Sequence, residues 1–188
     1  WRVRWNTQVV FLDVGQGDCC VIKEKGGMNL LIDGGSSDVS SCGEYRLIPY
    51  LKSQGINKID YAFLSHLDGD HYSAILEAIL SQKESGIEIQ NLVLSVYGKV
   101  GAKYAEFVEQ VEGTGCQVVY INPGDTLTVG DDEDEALILQ CLFPYGDEGF
   151  VDTNEQSMIL YGQVGDFDML FTGDIGTETE EVLLSRLE

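Results

Sequence analysis

The sequence lacks the features of membrane spans, secretion signals and several common enzyme classes. No apolar run approaches the roughly 18 residues that a transmembrane helix needs, and no charged segment followed by an apolar one opens the chain. GxSxG, P-loop and helix-opening GxGxxG motifs are also missing. We therefore expect a soluble chain, and nothing supports a serine hydrolase, an NTPase or a dinucleotide-binding enzyme.

Basic residues are scarce. Eleven lysines and arginines stand against 32 acidic residues, which gives a formal net charge of −21. Because proteins bind phosphate groups mainly through Lys and Arg, this composition argues against a nucleic-acid clamp built on a basic patch. So many carboxylates indicate either a well-solvated surface or side chains that bind metal ions. We interpret the acidic run 131–135 as a solvated hairpin tip, with a patch for a cation or basic partner as the alternative.

The five cysteines form neither a CxxC pair nor a regular framework. Cys19 and Cys20 are adjacent in an apolar run, where strand alternation sends them to opposite faces. We expect most of the cysteines to be small buried hydrophobic residues. Their odd number neither requires nor excludes a disulfide, so the redox compartment stays open.

Short apolar runs between glycines predict hairpins at both ends of the chain, and the middle alternates strand and helix. This mixture indicates one α/β domain over residues 1–188, in which helices cover sheets rather than flank one doubly wound parallel sheet. The predicted strands are 8–13, 19–23, 29–33, 59–65, 91–95, 117–121, 126–129, 136–143, 158–161 and 168–171. The predicted helices are 43–54, 72–82, 103–112 and a last one from about Thr177 to Glu188. No strand follows the last helix, so we expect a fragment of a larger protein.

Both histidines of the chain lie in the segment SHLDGDH, directly after a buried strand and before a helix. Side chains at the carboxyl end of a strand project into the crevice where α/β folds bind ligands. A glycine in the loop lets several of them converge. An isolated Asp-Gly-Asp is usually a turn and an isolated His is often a cap, but two imidazoles with two carboxylates form a divalent-metal set. The candidate ligands are His66, Asp68, Asp70 and His71.

Three other aspartates end apolar strands beside glycines. Asp174 alone would be read as a turn or helix N-cap, but a binuclear site needs a distant carboxylate to bridge its ions. For Asp13 and Asp33, a hydrogen bond to a tight turn explains the residue as well as metal ligation does.

The segment SHLDGDH, with LIDGG before it and LFTGD after it, resembles the metallo-β-lactamase superfamily. That superfamily carries HxHxDH as its metal loop, and Asp68 replaces the second His here. The segments FLDVGQGD, YLKSQGINKIDYAFLSHLDGDH and NEQSMIL make residues 7–180 similar to the C-terminal soluble domain of ComEC-type competence proteins. Those proteins are DNA-uptake channel proteins of the bacterial membrane.

The resemblance implies a metallo-β-lactamase-like αββα sandwich with a metal site at one edge between its sheets. By motif, His66 and Asp68 face one metal, Asp70 and His71 face another, and Asp174 bridges them. Asp70 and Asp174 are then the catalytic residues, and the supporting residues are Asp13, Asp33, Asn154 and Ser157. Asn154 and Ser157 occupy the stretch where the superfamily often places a third histidine, and the family's closing histidine-containing strand is missing.

The resulting hypothesis is a metal-dependent phosphodiesterase that acts on DNA, with single strands as the expected substrate. It would use two divalent ions, with Mn²⁺ or Mg²⁺ favoured by the carboxylate of Asp68 and Zn²⁺ possible. The resemblance implies a soluble domain on the extracytoplasmic face of a bacterial membrane, beside the channel portion of the same polypeptide and without lipid contact. The alternatives are a metal-poor, non-catalytic module that docks on or gates the channel, and a metallo-hydrolase for thioesters or lactones.

Overall fold

The computed structural model describes residues 6–98, 102–130 and 136–187, so the acidic run 131–135 lies outside the described residues. The strands are β1 (Gln8–Phe11), β2 (Cys19–Lys23), β3 (Asn29–Gly34), β4 (Lys58–Phe63), β5 (Glu88–Ser95), β6 (Gln117–Ile121), β7 (Thr126–Val129), β8 (Leu137–Phe143), β9 (Ile159–Val164) and β10 (Phe167–Phe171). The α-helices are α1 (Ile48–Ser53), α2 (Gly69–Leu80), α3 (Gln82–Ser85), α4 (Ala102–Val111) and α5 (Thr177–Leu187). A π-helical turn (Gly43–Leu47) precedes α1, and 3₁₀ turns cover Val96–Gly98 and Asn154–Gln156.

The strands form two sheets. The first has the order β1-β2-β3-β4-β5-β6, antiparallel as far as β3 and parallel from β3 to β6. The second is fully antiparallel, with the order β10-β9-β8-β7. The prediction of hairpins at the ends and strand–helix alternation in the middle is therefore confirmed.

Apolar side chains build the core in layers. One layer lies between the two sheets, where Cys20 of β2 packs with residues such as Leu139 of β8. A second lies between the first sheet and α1, α2 and α4, and it contains Cys19 and Ile75. Leu183 of α5 packs on the second sheet. The architecture is thus a helix–sheet–sheet–helix sandwich, as predicted, and the adjacent cysteines point to opposite faces. All five cysteines are buried and free.

Helix α2 starts at Gly69, three residues before its predicted start. The prediction placed the boundary at the first residue of the apolar repeat. In the structure the carbonyl oxygen of Asp68 already accepts the N–H groups of His71 (2.9 Å) and Tyr72 (3.1 Å). The polar residues before the apolar repeat therefore form the first helical turn, and His71 is fixed on a helix instead of a loop. The predicted helix 72–82 also divides after Leu80 into α2 and α3.

Strand pairing brings several chain segments to one edge of the first sheet. β3 and β4 are parallel, with Ile32 opposite Phe63, so their carboxyl ends lie side by side. β2 runs antiparallel to β3, with Cys19 opposite Gly34, so the start of β2 reaches the same edge. Within the described residues, no helix is long and apolar enough to cross a membrane.

Gly35 allows α2 to approach this edge closely. A Cβ atom at Gly35 would lie 2.4 Å from the carbonyl carbon of Asp70 and 2.6 Å from the backbone nitrogen of His71. We therefore expect Gly35→Ala to lower the free energy of unfolding by about 1–3 kcal/mol, as overpacking generally does. Gly69→Ala is the matched control, because a Cβ atom there has no neighbour within 4 Å. Urea unfolding of both variants tests this expectation, and equal stability would contradict it.

Candidate metal centre

Two histidines and a distant aspartate converge at this edge. The rings of His66 and His71 are 4.2 Å apart between centroids. Asp174, in the loop between β10 and α5, places Oδ2 3.3 Å from Nε2 of His71. One donor atom from each of the three side chains lies within 4.8 Å of the others. The fold therefore brings Asp174, about a hundred residues further along the chain, next to the SHLDGDH segment.

Asp33 holds the His71 ring. Its Oδ2 lies 3.1 Å from Nδ1 of His71, and its two carboxylate oxygens accept the backbone N–H and the hydroxyl of Ser65, both at 2.8 Å. The backbone of Asp33 has φ = 52°, a region that aspartate tolerates better than most residues. With Nδ1 engaged by a carboxylate, Nε2 of His71 is the atom that faces Asp174 and the atom available to a metal ion.

The charge state of His71 follows from these carboxylates. Burial lowers the pKa of His71, but the hydrogen bond and charge of Asp33, together with Asp174 and Asp18, outweigh burial and raise the pKa to about 9. The imidazole is thus protonated at neutral pH without a metal. A divalent ion that binds Nε2 must displace that proton.

His66 presents a buried nitrogen that lacks a partner. Its Nδ1 lies 3.0 Å from the hydroxyl of Ser65 and 3.2 Å from that of Ser157. Its Nε2 is fully buried and has no hydrogen-bond partner among the described residues. Burial and the neighbouring charge of His71 lower the pKa of His66, which favours the neutral, metal-binding imidazole. A buried polar atom without a partner is costly, and an ion at Nε2 would satisfy it. These donors therefore fit a divalent metal ion.

Asp68 occupies the N-cap position of α2 but does not cap it. Its Oδ1 accepts a hydrogen bond from Nζ of Lys103 at 2.9 Å, and its Oδ2 lies 3.7 Å from Nε2 of His66. Burial raises the pKa of Asp68, but the hydrogen bond and charge of Lys103 outweigh burial and lower it below its ordinary value. The carboxylate is therefore ionised and stands between Lys103 and the free nitrogen of His66.

Two further aspartates, Asp18 and Asp70, contact each other beside this site. The backbone carbonyl of Asp70 accepts the N–H of Asp18 at 3.1 Å. Asp18 belongs to a second cluster with Asp33 and His71. The carboxylate of Asp70 is in neither three-residue cluster found among the described residues. Burial raises the pKa of Asp18, His71 opposes this rise, and the carboxylates of Asp33, Asp174 and Asp70 add to it.

The first cluster is the better metal set. In the second cluster, Nδ1 of His71 and Oδ2 of Asp33 are already joined by a hydrogen bond, and Asp33 also accepts two from Ser65. In the first cluster, Nε2 of His66 lacks a partner. We therefore take His66, His71 and Asp174 as the centre of the site and Asp33 as the residue that orients it.

The other predicted supporting residues lie in different surroundings. Asp13 is exposed and its carboxylate accepts the N–H of Gly15 at 3.2 Å, which closes a turn. Asn154 opens a 3₁₀ turn, and its N–H donates to Asp152. Asp13 is in neither His/Asp cluster found among the described residues. Ser157, in contrast, contacts His66 through its hydroxyl.

Three residues of the site were not singled out from the sequence. Asp18 precedes β2 and reaches the site because β2 pairs with β3. The predicted hairpin of these two strands is the sequence signal that could have indicated Asp18. Ser65 follows β4 beside the first histidine, and its hydroxyl bridges Asp33 and His66. Lys103 comes from α4, and no local pattern connects it with the SHLDGDH segment.

Comparison with known proteins identifies the family of this chain. The model of the Metallo-beta-lactamase superfamily matches residues 12–187. ComE operon protein 3 of Bacillus subtilis is 26% identical over 191 residues, which cover 95% of this chain and 23% of that protein. Recombination protein 2 of Haemophilus influenzae is 29% identical over 198 residues, which cover 96% of this chain and 23% of that protein. The chain thus spans about a quarter of the length of these relatives.

Solved structures also share this fold. The metallo-beta-lactamase fold protein YhfI from Bacillus subtilis is 18% identical with a TM-score of 0.53, covering 84% of this chain and 54% of that one. Zn²⁺-bound PqqB from Methylobacterium extorquens is 14% identical with a TM-score of 0.50, covering 82% of this chain and 52% of that one. Identities this low establish the fold alone. Distantly similar to ComEC-type competence proteins along nearly its whole length, the chain belongs to the metallo-β-lactamase superfamily.

Proposed function

We propose that this chain is a metal-dependent phosphodiesterase that cleaves DNA. The observation that carries the proposal is the convergence of His66, His71 and Asp174 within 4.8 Å, with Nε2 of His66 buried and unpaired. The similarity to competence proteins, one of them named Recombination protein 2, supports DNA as the substrate. We expect a single-stranded substrate.

Several residues would hold the metal ions. Nε2 of His66 and Nε2 of His71 would supply nitrogen ligands, and Asp174 would supply an oxygen ligand. Asp68 and Asp70 are the further oxygen donors expected from the motif, and the structure adds Asp18. Two bound divalent ions would lower the pKa of a water molecule and neutralise charge on the scissile phosphate. The positive charge of the ions matters because the chain itself carries a formal net charge of −21.

The protein's own contribution is orientation and proton transfer. Asp33, Ser65 and Ser157 engage the Nδ1 atoms of the two histidines, so both rings present Nε2 toward the site. Asp174 is proposed to accept a proton through Oδ2, which lies 3.3 Å from Nε2 of His71 on a side chain that is 41% exposed, so water can reach it. Asp70 is the second proposed catalytic carboxylate, at the start of α2.

We also propose that residues 1–188 form one domain of a longer membrane polypeptide, on the extracytoplasmic face of a bacterial cell. The support is the similarity to competence proteins and the small share of their length that the chain covers. The proposed partners are DNA and the channel portion of the same polypeptide.

Activity with different ions tests the proposal. We expect metal-stripped protein to cleave DNA when Mn²⁺ or Mg²⁺ is added, and less well with Zn²⁺, because carboxylates outnumber imidazoles at the site and oxygen-rich sites suit harder ions. Turnover of single- and double-stranded DNA with each ion is the measurement, and calorimetric titration of each ion gives occupancy separately.

The variant Asp68→His restores the common superfamily loop and should shift the preference toward Zn²⁺. If the unaltered chain cleaved DNA with Zn²⁺ and not with Mn²⁺, the argument that Asp68 favours harder ions would be wrong. A folded protein that binds ions and cleaves neither strand form would contradict the phosphodiesterase and favour a non-catalytic module.

A further inference from the structure

A pocket of about 140 Å³ opens beside His66, on the side where Asp68 meets Lys103. Its residues come from the end of β4, the end of β5, the start of α4 and the 3₁₀ turn before β9. They include Leu64, His66, Leu94, Lys103, Tyr104 and Thr153. The pocket therefore shares His66 with the proposed metal site and extends away from it.

The pocket has an apolar floor and a polar rim. Leu64 and Leu94 are 2% and 4% exposed, so the floor belongs to the packed core. Tyr104 adds an aromatic wall that is fixed by a hydrogen bond from its hydroxyl to that of Tyr120. Thr153, which is exposed, stands at the rim. A flat ring that is apolar on its faces and polar at its edge matches this surface.

The volume limits the part of a ligand that the pocket can bury to one ring. Pockets that bury drug-sized ligands measure about 300–1,000 Å³, whereas an apolar cavity of about 150 Å³ holds one benzene molecule. The 140 Å³ here therefore suits a six-membered ring and is small for a fused double ring. A base that is paired in a duplex cannot enter, because its partner and its stacked neighbours hold it in place.

Lys103 supplies positive charge at the mouth. It is the only lysine or arginine among the described residues that line the pocket. Its ammonium group has three N–H donors, and the ion pair with Asp68 at 2.9 Å uses one and holds the group in position. The side chain is 59% exposed, so a phosphate can reach it from solvent.

We infer that this pocket binds one unpaired pyrimidine base of single-stranded DNA while Lys103 binds the adjacent backbone phosphate. The inference rests on the proposed function, since the pocket would place that nucleotide next to the cleaved bond. Base and phosphate recognition are thus assigned to different residues, so separate variants can test them.

The experiment measures binding of labelled oligothymidylate and oligoadenylate to the metal-stripped chain, which is not expected to cleave them, by fluorescence anisotropy over a range of salt concentrations. We expect the thymidylate strand to bind about tenfold more tightly, which is the effect of one well-placed base. Thr153→Trp fills the mouth from an exposed position and should abolish this preference. If the preference is absent, or persists in Thr153→Trp, the base pocket is wrong.

Lys103→Ala should weaken binding of both strands by the same factor. It should also reduce the slope of log affinity against log salt by about 0.7, the value for one phosphate contact on a single strand. Lys52→Ala, an exposed lysine on α1, is the control that should change neither. Equal behaviour of the two variants would overturn the role of Lys103. Because binding is read without cleavage, an inactive protein that keeps the thymidylate preference would refute only the phosphodiesterase, and an active one without it would refute only this pocket.

Discussion

His71→Ala is expected to lower metal affinity by more than about 100-fold, and His66→Ala should do the same. Loss of a residue that only orients a ligand typically costs 10–100-fold, and these two residues supply the nitrogen atoms at the centre of the cluster. Metal content per chain after dialysis, measured by mass spectrometry, and calorimetric titration give the result. Glu88→Ala, an exposed carboxylate at the start of β5, is the control that should retain full metal content.

Both histidines are buried, so folding must be checked alongside metal content. His71→Gln keeps much of the side-chain volume and offers a second variant if His71→Ala unfolds. The decisive comparison is between proteins with unchanged circular dichroism. If both alanine variants kept the metal content of the unaltered chain, the site would not lie at the SHLDGDH segment.

The sequence indicated the architecture well because local rules control it. Glycines between short apolar runs marked the hairpins, and the apolar repeat of α2, with Ile75 and Ile79 buried, marked a helix against a sheet. The boundary at Gly69 was missed because polar residues in a first helical turn do not contribute to an apolar repeat. The motif located the histidines, but the contacts of Asp33 with Ser65 and His71 depend on the parallel register of β3 and β4, which sets the carboxyl ends of these strands side by side.

The roles within the site were harder to predict because they depend on contacts between distant segments. The resemblance placed Asp70 and His71 at one metal ion and made Asp174 the bridge. The structure sets Oδ2 of Asp174 3.3 Å from Nε2 of His71, and the Asp70 carboxylate is in neither cluster found among the described residues. Asp68 looked the same in sequence whether it capped α2 or faced the site. In the structure its side chain forms no cap hydrogen bond and pairs with Lys103 instead. No spacing rule connects these two residues.

Asp174→Asn is expected to abolish hydrolysis while it leaves the fold nearly unchanged. The side chain is 41% exposed and the change is isosteric, so little packing is lost. Its partner His71 loses one neighbouring carboxylate, and a partly exposed ion pair contributes only about 0–1 kcal/mol. We therefore expect the free energy of unfolding to fall by no more than about 1 kcal/mol.

The expected loss of activity is much larger, because the same carboxylate is proposed to bind metal and to accept a proton. Removal of a general acid or base typically lowers the rate about 10²–10⁴-fold, and loss of a ligand adds to that. Asp168→Asn, an exposed aspartate on β10, makes the same chemical change outside the site and should leave kcat unaltered. Calorimetric titration then separates the two roles, since a variant that binds metal normally but does not turn over has lost the proton acceptor, and one that binds weakly has lost a ligand. A folded Asp174→Asn protein with full kcat would show that neither role belongs to this residue.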